Sequence, residues 1–217
     1  VIRWFSENKP EVETELFFDN TYQLTVAVIL SAQCTDKRVN MHTPALFERY
    51  PSAAELAEAA YDELFSYIKS ISFPGNKTRH LMGMAKLVME KFGGEIPMTV
   101  EELVQLPGVG RKTAHVITSV VDNQPNLAVD THVFRVSARI GLTKGAKTPL
   151  ATEQQLMKHV PKELVHKFHH WLVLHGRYIC VARSPKCGEC GLRPVCLYFH
   201  TVVEPATRKL PKDRKES

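Results

Sequence analysis

Lys112 is the residue whose type and position point most directly to chemistry. It lies near the start of an apparent helix, two residues beyond the second glycine of the segment LPGVGRKTA, residues 106–114. An unprotonated lysine amine can attack the C1′ atom of a sugar and form a Schiff base. A helix N-terminus and partial burial, both of which we expect here, would favour that unprotonated form. Position alone leaves a second role equally open, in which the amine contacts phosphate as a point charge.

The segment 106–114 predicts a tight turn between two helices. Gly108 and Gly110 favour such a turn, because glycine tolerates positive φ and allows another backbone to come close. The backbone amides at the start of the second helix would then form an anion site. Pro107 could instead merely turn the chain, but Arg111 places a cation where the helix dipole disfavours one. We therefore interpret the segment as a helix-hairpin-helix element that binds phosphate.

A carboxylate opens another predicted helix. Asp130 stands in the string VDTH, residues 129–132, and the side chain taken alone is best interpreted as an N-cap. An aspartate in this place could also activate an amine and stabilise positive charge that develops on a sugar. Both roles are open on the residue type alone.

Four of the five cysteines lie close together in the sequence. Cys180, Cys187, Cys190 and Cys196 occupy a stretch of 17 residues, with six, two and five residues between them. An odd number of cysteines, crowded in this way, argues against a secreted disulfide scaffold and favours a metal site in a reducing compartment. The four thiolates could wrap a tetrahedral zinc ion or an iron–sulfur cubane, and composition leaves both open. Cys34 lies apart and is predicted to be a small core residue.

The composition is that of a globular chain in which basic residues outnumber acidic ones. Of the 217 residues, 44% are hydrophobic and 24% charged, which allows one large or two small domains. The net charge of +5 favours a polyanionic partner without requiring one. No run approaches about 18 apolar residues, and the first residues lack the pattern of a secretory signal. The sequence therefore predicts neither a membrane span nor secretion.

Apolar residues recur with a period of about 3.6 in most segments, which predicts an all-α fold. One helix is predicted over residues 35–51, and another over residues 77–92 after a turn at residues 73–76. A further helix is predicted over residues 148–161, with a proline at its first helical position. The chain ends in a segment rich in Lys, Arg and Pro, residues 206–217, which is predicted to be a mobile basic tail.

The hairpin with its lysine, the aspartate 18 residues further on and the four-cysteine loop together resemble the endonuclease III family of DNA glycosylases. The resemblance extends from the first helix to about residue 204. It implies a helix-hairpin-helix glycosylase fold with two helical domains. A six-helix barrel would occupy residues 15–124, and residues 1–14 with 125–205 would form the domain that holds a [4Fe–4S] cluster.

The resemblance also implies a bifunctional DNA N-glycosylase and AP lyase of base excision repair. Lys112 would be the nucleophile and Asp130 the catalytic carboxylate. The enzyme would remove oxidised pyrimidines of the thymine glycol type through a lysine Schiff base, and would cut the strand 3′ to the abasic site by β-elimination. Its partner would be double-stranded DNA with a damaged base or an abasic site, and we expect a monomer in the cytoplasm of a bacterium or archaeon. The cluster ligands would be Cys180, Cys187, Cys190 and Cys196.

The same resemblance indicates which residues contact DNA. Gln33, in the string LSAQ, matches the residue that fills the gap left by an extruded base. The apolar wedge falls at Phe73 or Pro74, where the string ISFPGN departs from the Gly-Leu-Tyr form of the family and Phe73 could be a core residue instead. The other implied contacts are Leu106, Gly108, Val109, Gly110, Arg111, Thr113, His132, Arg183 and Lys186. Of these, the histidine could instead only pack, and the last two could be solvated charges.

Two other functions stay open. One is a glycosylase with a different base choice, acting on adenine or on a mismatch, although adenine-specific relatives lack a lysine at the position of Lys112. The other is a DNA-binding iron–sulfur protein without catalysis. The presence of both Lys112 and Asp130 weighs against this second alternative.

Overall fold

The computed structural model describes residues 1–122 and 124–208. Helices joined by turns make up these residues, and no β-strand occurs among them. The predicted all-α fold is confirmed. No helix within the described ranges is both long enough and apolar enough to cross a membrane.

The helices of the described residues follow one another with short connections. In chain order they are α1 (Ile2–Asn8), α2 (Thr21–Ser31), α3 (Asp36–Asn40), α4 (Thr43–Arg49), α5 (Ala53–Ala57), α6 (Tyr61–Ile68), α7 (Pro74–Phe92), α8 (Val100–Leu103), α9 (Arg111–Asp122), α10 (Thr131–Ile140), α11 (Pro149–Leu156), α12 (Val165–Tyr178) and α13 (Glu204–Arg208). Short 3₁₀ turns lie at Lys162–Leu164, Cys187–Glu189 and Arg193–Val195, and a π-helical turn at Phe199–Val203.

The chain divides into two compact units. The central unit is Thr14–Asn126 and contains α2 to α9. The terminal unit combines Val1–Glu13 with the described residues from Leu127 onward, and it contains α1 and α10 to α13. Each unit has its own cluster of buried apolar side chains, so each has a core of its own.

Helix α2 is a buried helix of the central unit. All residues from Leu24 to Leu30 are buried, as expected of a helix without a polar face. Asn20 caps its start, because the Asn20 side chain accepts a hydrogen bond from the Gln23 amide at 2.9 Å. The helix contacts α3, α7 and α9. Its apolar run alone would also suit a buried strand, and packing against other helices decides the outcome.

Helix α7 joins several helices of the central unit, since it contacts α2, α5 and α6. It begins at Pro74, a residue suited to the first helical turn because its missing amide needs no partner there. Leu81, Met84 and Val88 recur at helical spacing and are buried. Gly93, at a φ of 62°, ends the helix in the left-handed conformation that glycine favours.

The terminal unit brings the start of the sequence against its second half. The Phe5 ring in α1 stacks on the Trp171 ring in α12, with the ring centroids 5.4 Å apart. The Trp171 indole N–H donates to the Lys9 carbonyl, with an N···O distance of 2.7 Å. Helix α10 also packs on α12. Helices α1, α10 and α12 therefore share one core.

Three predicted helix boundaries are wrong. The helix predicted over residues 35–51 is two helices, α3 and α4, because Pro44 cannot donate a backbone hydrogen bond and lies in the first turn of a new helix. The turn predicted at residues 73–76 is shorter, since Pro74 is already the first residue of α7. The helix predicted to extend to Pro161 ends earlier, because α11 ends at Leu156.

The first three residues of the predicted tail are helical. Residues 206–208 belong to α13, where Glu204 accepts a hydrogen bond from Arg208 at 2.8 Å and lies 3.1 Å from the His200 ring nitrogen. The remainder of the predicted tail, residues 209–217, lies outside the described residues.

Candidate functional site

Residues 106–109 form a tight turn between α8 and α9. The Val109 amide donates to the Leu106 carbonyl at 3.0 Å, and Gly108 has a φ of 83°. Pro107 at the second position and a glycine at positive φ at the third are the features of a type II turn. The Leu106 and Val109 side chains are buried, so they anchor the turn to the core of the central unit.

The turn packs closely on α7. A Cβ atom added to Gly108 would lie 2.9 Å from the Cβ of His80. One helical turn further along α7, a Cβ atom at Gly83 would lie 3.1 Å from Pro107 Cγ. A Cβ atom at Gly110, in contrast, would have no neighbour within 4 Å. Helix α7 therefore fixes the position of the turn on one side, and the backbone at Gly110 stays open.

Lys112 is the second residue of α9, whose first intrahelical hydrogen bond joins the Ala114 amide to the Gly110 carbonyl at 2.9 Å. The Arg111 and Lys112 side chains are exposed, and Thr113 is half-buried. The expected partial burial of Lys112 is therefore wrong, because the buried stripe of α9 begins only at Ala114. The lysine is accessible to a large ligand.

Asp130 is the N-cap of α10. One carboxylate oxygen, Oδ1, accepts hydrogen bonds from the amides of His132 and Val133 at 2.9 and 2.8 Å. The N-cap interpretation is confirmed, and this capping fixes the rotamer of the carboxylate. Because a single oxygen accepts both bonds, capping uses one of the two carboxylate oxygens.

His132 packs against α12. A Cβ atom at Gly176 would lie 2.9 Å from the Cβ of His132, so only a glycine allows this approach. Burial lowers the pKa of His132, and Arg135 lowers it further, while the neighbouring Asp130 opposes both. The imidazole is therefore neutral near pH 7, which fits a packing role better than a contact of opposite charge with phosphate.

Gln33 and Phe73 share an unusual backbone conformation. Among the described residues, they are the two non-glycine residues at positive φ, with values of 54° and 56°. Such a conformation costs on the order of 1–3 kcal/mol per residue and recurs at functional sites. Both side chains are exposed, and Phe73 is 60% exposed. The alternative of Phe73 as a core residue is therefore wrong, whereas Pro74 belongs to the first turn of α7.

The Arg139 side chain binds the backbone of the four-cysteine loop. Its guanidinium donates to the carbonyls of Val181 and Ala182, both at 2.7 Å, and lies 3.5 Å from Cys180 Sγ. On the other side of the loop, His175 Nε2 lies 3.5 Å from Cys190 Sγ. Burial lowers the pKa of His175 to about 4, so this ring is neutral.

The cysteine side chains have the chemistry that an iron–sulfur cluster requires. All four are free thiols rather than disulfides, and all are at least half-buried. Burial raises the pKa of Cys187, and Cys180 and Cys196 raise it further, against the effect of Arg139. Several thiolates so close together need a positive centre, which iron supplies. In the part of the chain that the structure describes, no three His, Cys, Asp or Glu side chains are arranged to hold a single metal ion.

The outer face of this loop carries charge and its inner face meets α1. Arg183 and Lys186 are exposed. Gly191 lies against the Trp4 ring so closely that an added Cβ atom would overlap it. The glycine therefore allows the loop to pack on the N-terminal helix.

The chain is similar to known proteins over most of its length. Residues 26–162 match the family described as HhH-GPD superfamily base excision DNA repair protein, and residues 180–196 match the iron-sulfur binding domain of endonuclease III. Identity to endonuclease III of Bacillus subtilis is 46% over 187 residues, or 86% of this chain and 85% of the relative. Identity to endonuclease III of Rickettsia felis is 42% over 199 residues, or 92% of this chain and 93% of the relative.

A solved structure extends the similarity to three dimensions. It is a trapped covalent intermediate of endonuclease III and DNA, with 40% sequence identity and a TM-score of 0.86. The alignment covers 92% of this chain and 95% of that chain.

The turn, the four thiols and these similarities define the class: the chain belongs to the HhH-GPD superfamily of base excision DNA repair proteins. Within that class it is a member of the endonuclease III family. It is a bifunctional DNA glycosylase and AP lyase, and it carries a [4Fe–4S] cluster. The predicted family, activity and cofactor are confirmed, and the zinc alternative is wrong.

Sequence reasoning missed the residues of α7 that support the site. His80 and Gly83 hold the turn, and neither was singled out. A glycine inside a predicted helix was the available signal, because such a glycine often marks a close approach by another segment. Lys77, which is buried in the same helix, was missed as well.

The close approach of Gly108 to His80 gives a stability prediction. We expect Gly108→Ala to destabilise the central unit by about 1–3 kcal/mol, because alanine is strained at positive φ and its Cβ atom meets His80. Gly110→Ala is the matched control, since it adds the same atom in open space. Thermal unfolding followed by circular dichroism measures both variants. Equal melting temperatures for the two would contradict the account of the turn.

Proposed function

We propose that the chain removes oxidised pyrimidines of the thymine glycol type from double-stranded DNA and then cuts the strand 3′ to the abasic site, with Lys112 as the nucleophile. The observation that carries this proposal is the exposed lysine in the first turn of α9, directly after the type II turn. The similarity to an endonuclease III trapped covalently on DNA supports it, because a trapped covalent intermediate requires a nucleophile on the protein.

The proposed reaction begins when the Lys112 amine attacks C1′ of the damaged nucleotide. The C1′–N bond to the base breaks, and its electron pair leaves with the base, which takes up a proton. The nitrogen then loses a proton and its electron pair forms a double bond to C1′, while the C1′–O4′ bond breaks and O4′ takes up a proton, which leaves a Schiff base between Nζ and C1′. Loss of a proton from C2′ breaks the C3′–O bond, whose electron pair leaves on the phosphate, and the strand is cut.

Asp130 is proposed to stabilise the positive charge that develops on the sugar as the base departs. Its capping bonds to the His132 and Val133 amides hold the carboxylate in one orientation before the substrate binds. Electrostatic stabilisation of this kind is effective because the charged group needs no rearrangement during the reaction. The capping role and the catalytic role are therefore compatible in one side chain.

The hairpin is proposed to bind a DNA phosphate through its backbone. The first turn of a helix directs its N–H groups outward and its dipole favours an anion. Gly110 keeps this end of α9 open, and Arg111 and Thr113 add side chains that can contact phosphate. Leu106 and Val109 are buried, so we propose that they act through their backbone and anchor the turn.

Gln33 and Phe73 are proposed to enter the DNA duplex when a base is extruded. An enzyme that acts on a base within a duplex must take it out of the stack, and inserted side chains fill or wedge the gap. Phe73 is apolar and exposed, as a wedge requires, and Gln33 can form hydrogen bonds with a base that has lost its partner.

Cys180, Cys187, Cys190 and Cys196 are proposed as the ligands of the [4Fe–4S] cluster. The cluster, when bound, ties the four thiolates of this loop into one rigid unit. The loop then presents Arg183 and Lys186 to DNA phosphate. We further propose that the central unit is the barrel domain, that the terminal unit is the cluster domain and that the enzyme acts as a monomer in the cytoplasm.

The nucleophile can be tested by borohydride trapping on a duplex that contains thymine glycol. We expect a covalent complex with the wild type and none with Lys112→Gln or Lys112→Arg, because neither variant carries a nucleophilic amine. The arginine variant keeps the cation and should retain more DNA affinity than the glutamine variant. A wild type that binds the duplex without trapping or cutting would favour a binding protein or a glycosylase for another lesion.

The two roles of Asp130 can be separated by substitution. Asparagine is as good an N-cap as aspartate, so Asp130→Asn should leave the melting temperature nearly unchanged and lower single-turnover base excision by about 10²–10⁴-fold. Asp130→Ala should lower both the melting temperature and the rate of base excision, with a loss of about 1 kcal/mol in stability. If Asp130→Asn excises the base as fast as the wild type, the residue is an N-cap only.

The cluster ligands can be tested with a cysteine outside the loop as the control. We expect Cys190→Ala to lose the visible absorption of the cluster and its iron, because a cubane needs all four thiolates. Cys34→Ala should keep both, since Cys34 packs against the core of the central unit. Full iron content in Cys190→Ala would remove Cys190 from the ligand set.

A further inference from the structure

Lys77 is buried inside the central unit, which is unusual for a lysine. It lies in the first turn of α7 and is 4% exposed. A buried ammonium group is unfavourable unless it finds hydrogen-bond partners. The Lys77 amine donates to the carbonyl oxygens of Leu30 and Ala32, each at 2.7 Å. The sequence distances of 47 and 45 residues show that these contacts join distant parts of the chain.

These contacts complete the C-terminal end of α2. The last carbonyls of a helix have no partner within the helix itself. The Ala32 amide satisfies the Ile29 carbonyl and the Cys34 amide satisfies the Ser31 carbonyl. Lys77 satisfies two further carbonyls of the same end, and its positive charge suits the negative end of the helix dipole.

Lys77 lies one helical turn after Phe73, the other strained residue. The Lys77 amide donates to the Phe73 carbonyl at 3.2 Å, which forms the first hydrogen bond of α7. The Ala32 carbonyl that accepts from Nζ belongs to the peptide that leads into Gln33. The Lys77 side chain therefore joins the peptide directly before Gln33 to the first turn of α7, the turn that Phe73 caps. Among the described residues, these two are also the non-glycine residues at positive φ.

We propose that Lys77 is a positioning residue that fixes Gln33 and Phe73 at a set spacing before DNA binds, so that both side chains can enter one duplex together. This inference rests on the proposed function, in which Gln33 and Phe73 fill the gap that an extruded base leaves in the duplex. A set spacing removes the entropic cost of ordering two loops at the moment of binding. It also explains why the two unfavourable backbone conformations persist at exposed positions, since the Lys77 side chain joins the peptide before Gln33 to the helical turn that Phe73 caps.

The test compares borohydride trapping on two DNA substrates that carry the same abasic site, one double-stranded and one single-stranded. Duplex DNA with an abasic site requires the gap in the stack to be filled, whereas single-stranded DNA with the same site does not. We expect Lys77→Met to lower the borohydride trapping rate on the duplex by ~10²-fold, the size of effect that misplaced groups produce, and to leave the single-strand rate near that of the wild type. Lys86→Met, an exposed lysine in the same helix, should change neither rate.

The single-strand rate also reports whether the variant is folded. If Lys77→Met keeps the circular dichroism spectrum of the wild type but loses both rates equally, or if it retains the duplex rate, Lys77 has no positioning role and the inference is overturned. If Lys77→Met does not fold, Lys77→Gln can be tested in the Gln33→Ala/Phe73→Ala background. We expect no further loss on the duplex there, because the loops that Lys77 positions no longer carry their side chains. A further loss as large as in the wild-type background would overturn the inference.

A failure of the proposed function gives a different pattern. If the wild type forms a covalent complex with neither substrate, the lysine chemistry is absent and borohydride trapping cannot report on the role of Lys77. Fluorescence of 2-aminopurine opposite a tetrahydrofuran abasic analogue then measures base unstacking without any reaction. We expect Lys77→Met to lose the fluorescence increase that the wild type produces on binding, and an unchanged increase would overturn the inference.

Discussion

Helix α7 is the constraint on which the loops of the central unit depend. Its first turn contains Lys77, whose bonds reach the end of α2 and the carbonyl of Phe73. Its next two turns carry His80 and Gly83, against which the turn at Gly108 packs. A helix is stiff over this length, because hydrogen bonds between residues i and i−4 join its successive turns. Three separate loops therefore keep their spacing through contacts with a single element.

Stability and function oppose each other at two of these loops. Gln33 and Phe73 each cost on the order of 1–3 kcal/mol in backbone strain and leave their side chains in solvent. Burial of α2 offsets such costs, since seven consecutive residues from Leu24 to Leu30 leave water. The central unit thus combines a rigid apolar interior with strained, exposed residues at its surface, a pattern expected where a protein must insert side chains into a partner.

The terminal unit follows a different principle, in which one residue serves the fold and the proposed chemistry together. Asp130 caps α10 and holds its carboxylate in a defined orientation through the same two hydrogen bonds. Arg139, in the same helix, binds the backbone of the cysteine loop through Val181 and Ala182. Helix α10 therefore positions the proposed catalytic carboxylate at its start and the four-cysteine loop near its end.

The sequence by itself determined the features that depend on neighbours along the chain. The type II turn at Gly108, the Asp130 cap and the four-thiol loop each span few residues, so residue type and spacing define them. Only the tertiary structure decided the burial of Lys77 and the exposure of Phe73. These depend on contacts between segments tens of residues apart, such as the 47 residues between Lys77 and Leu30, and local pattern carries no information about such contacts.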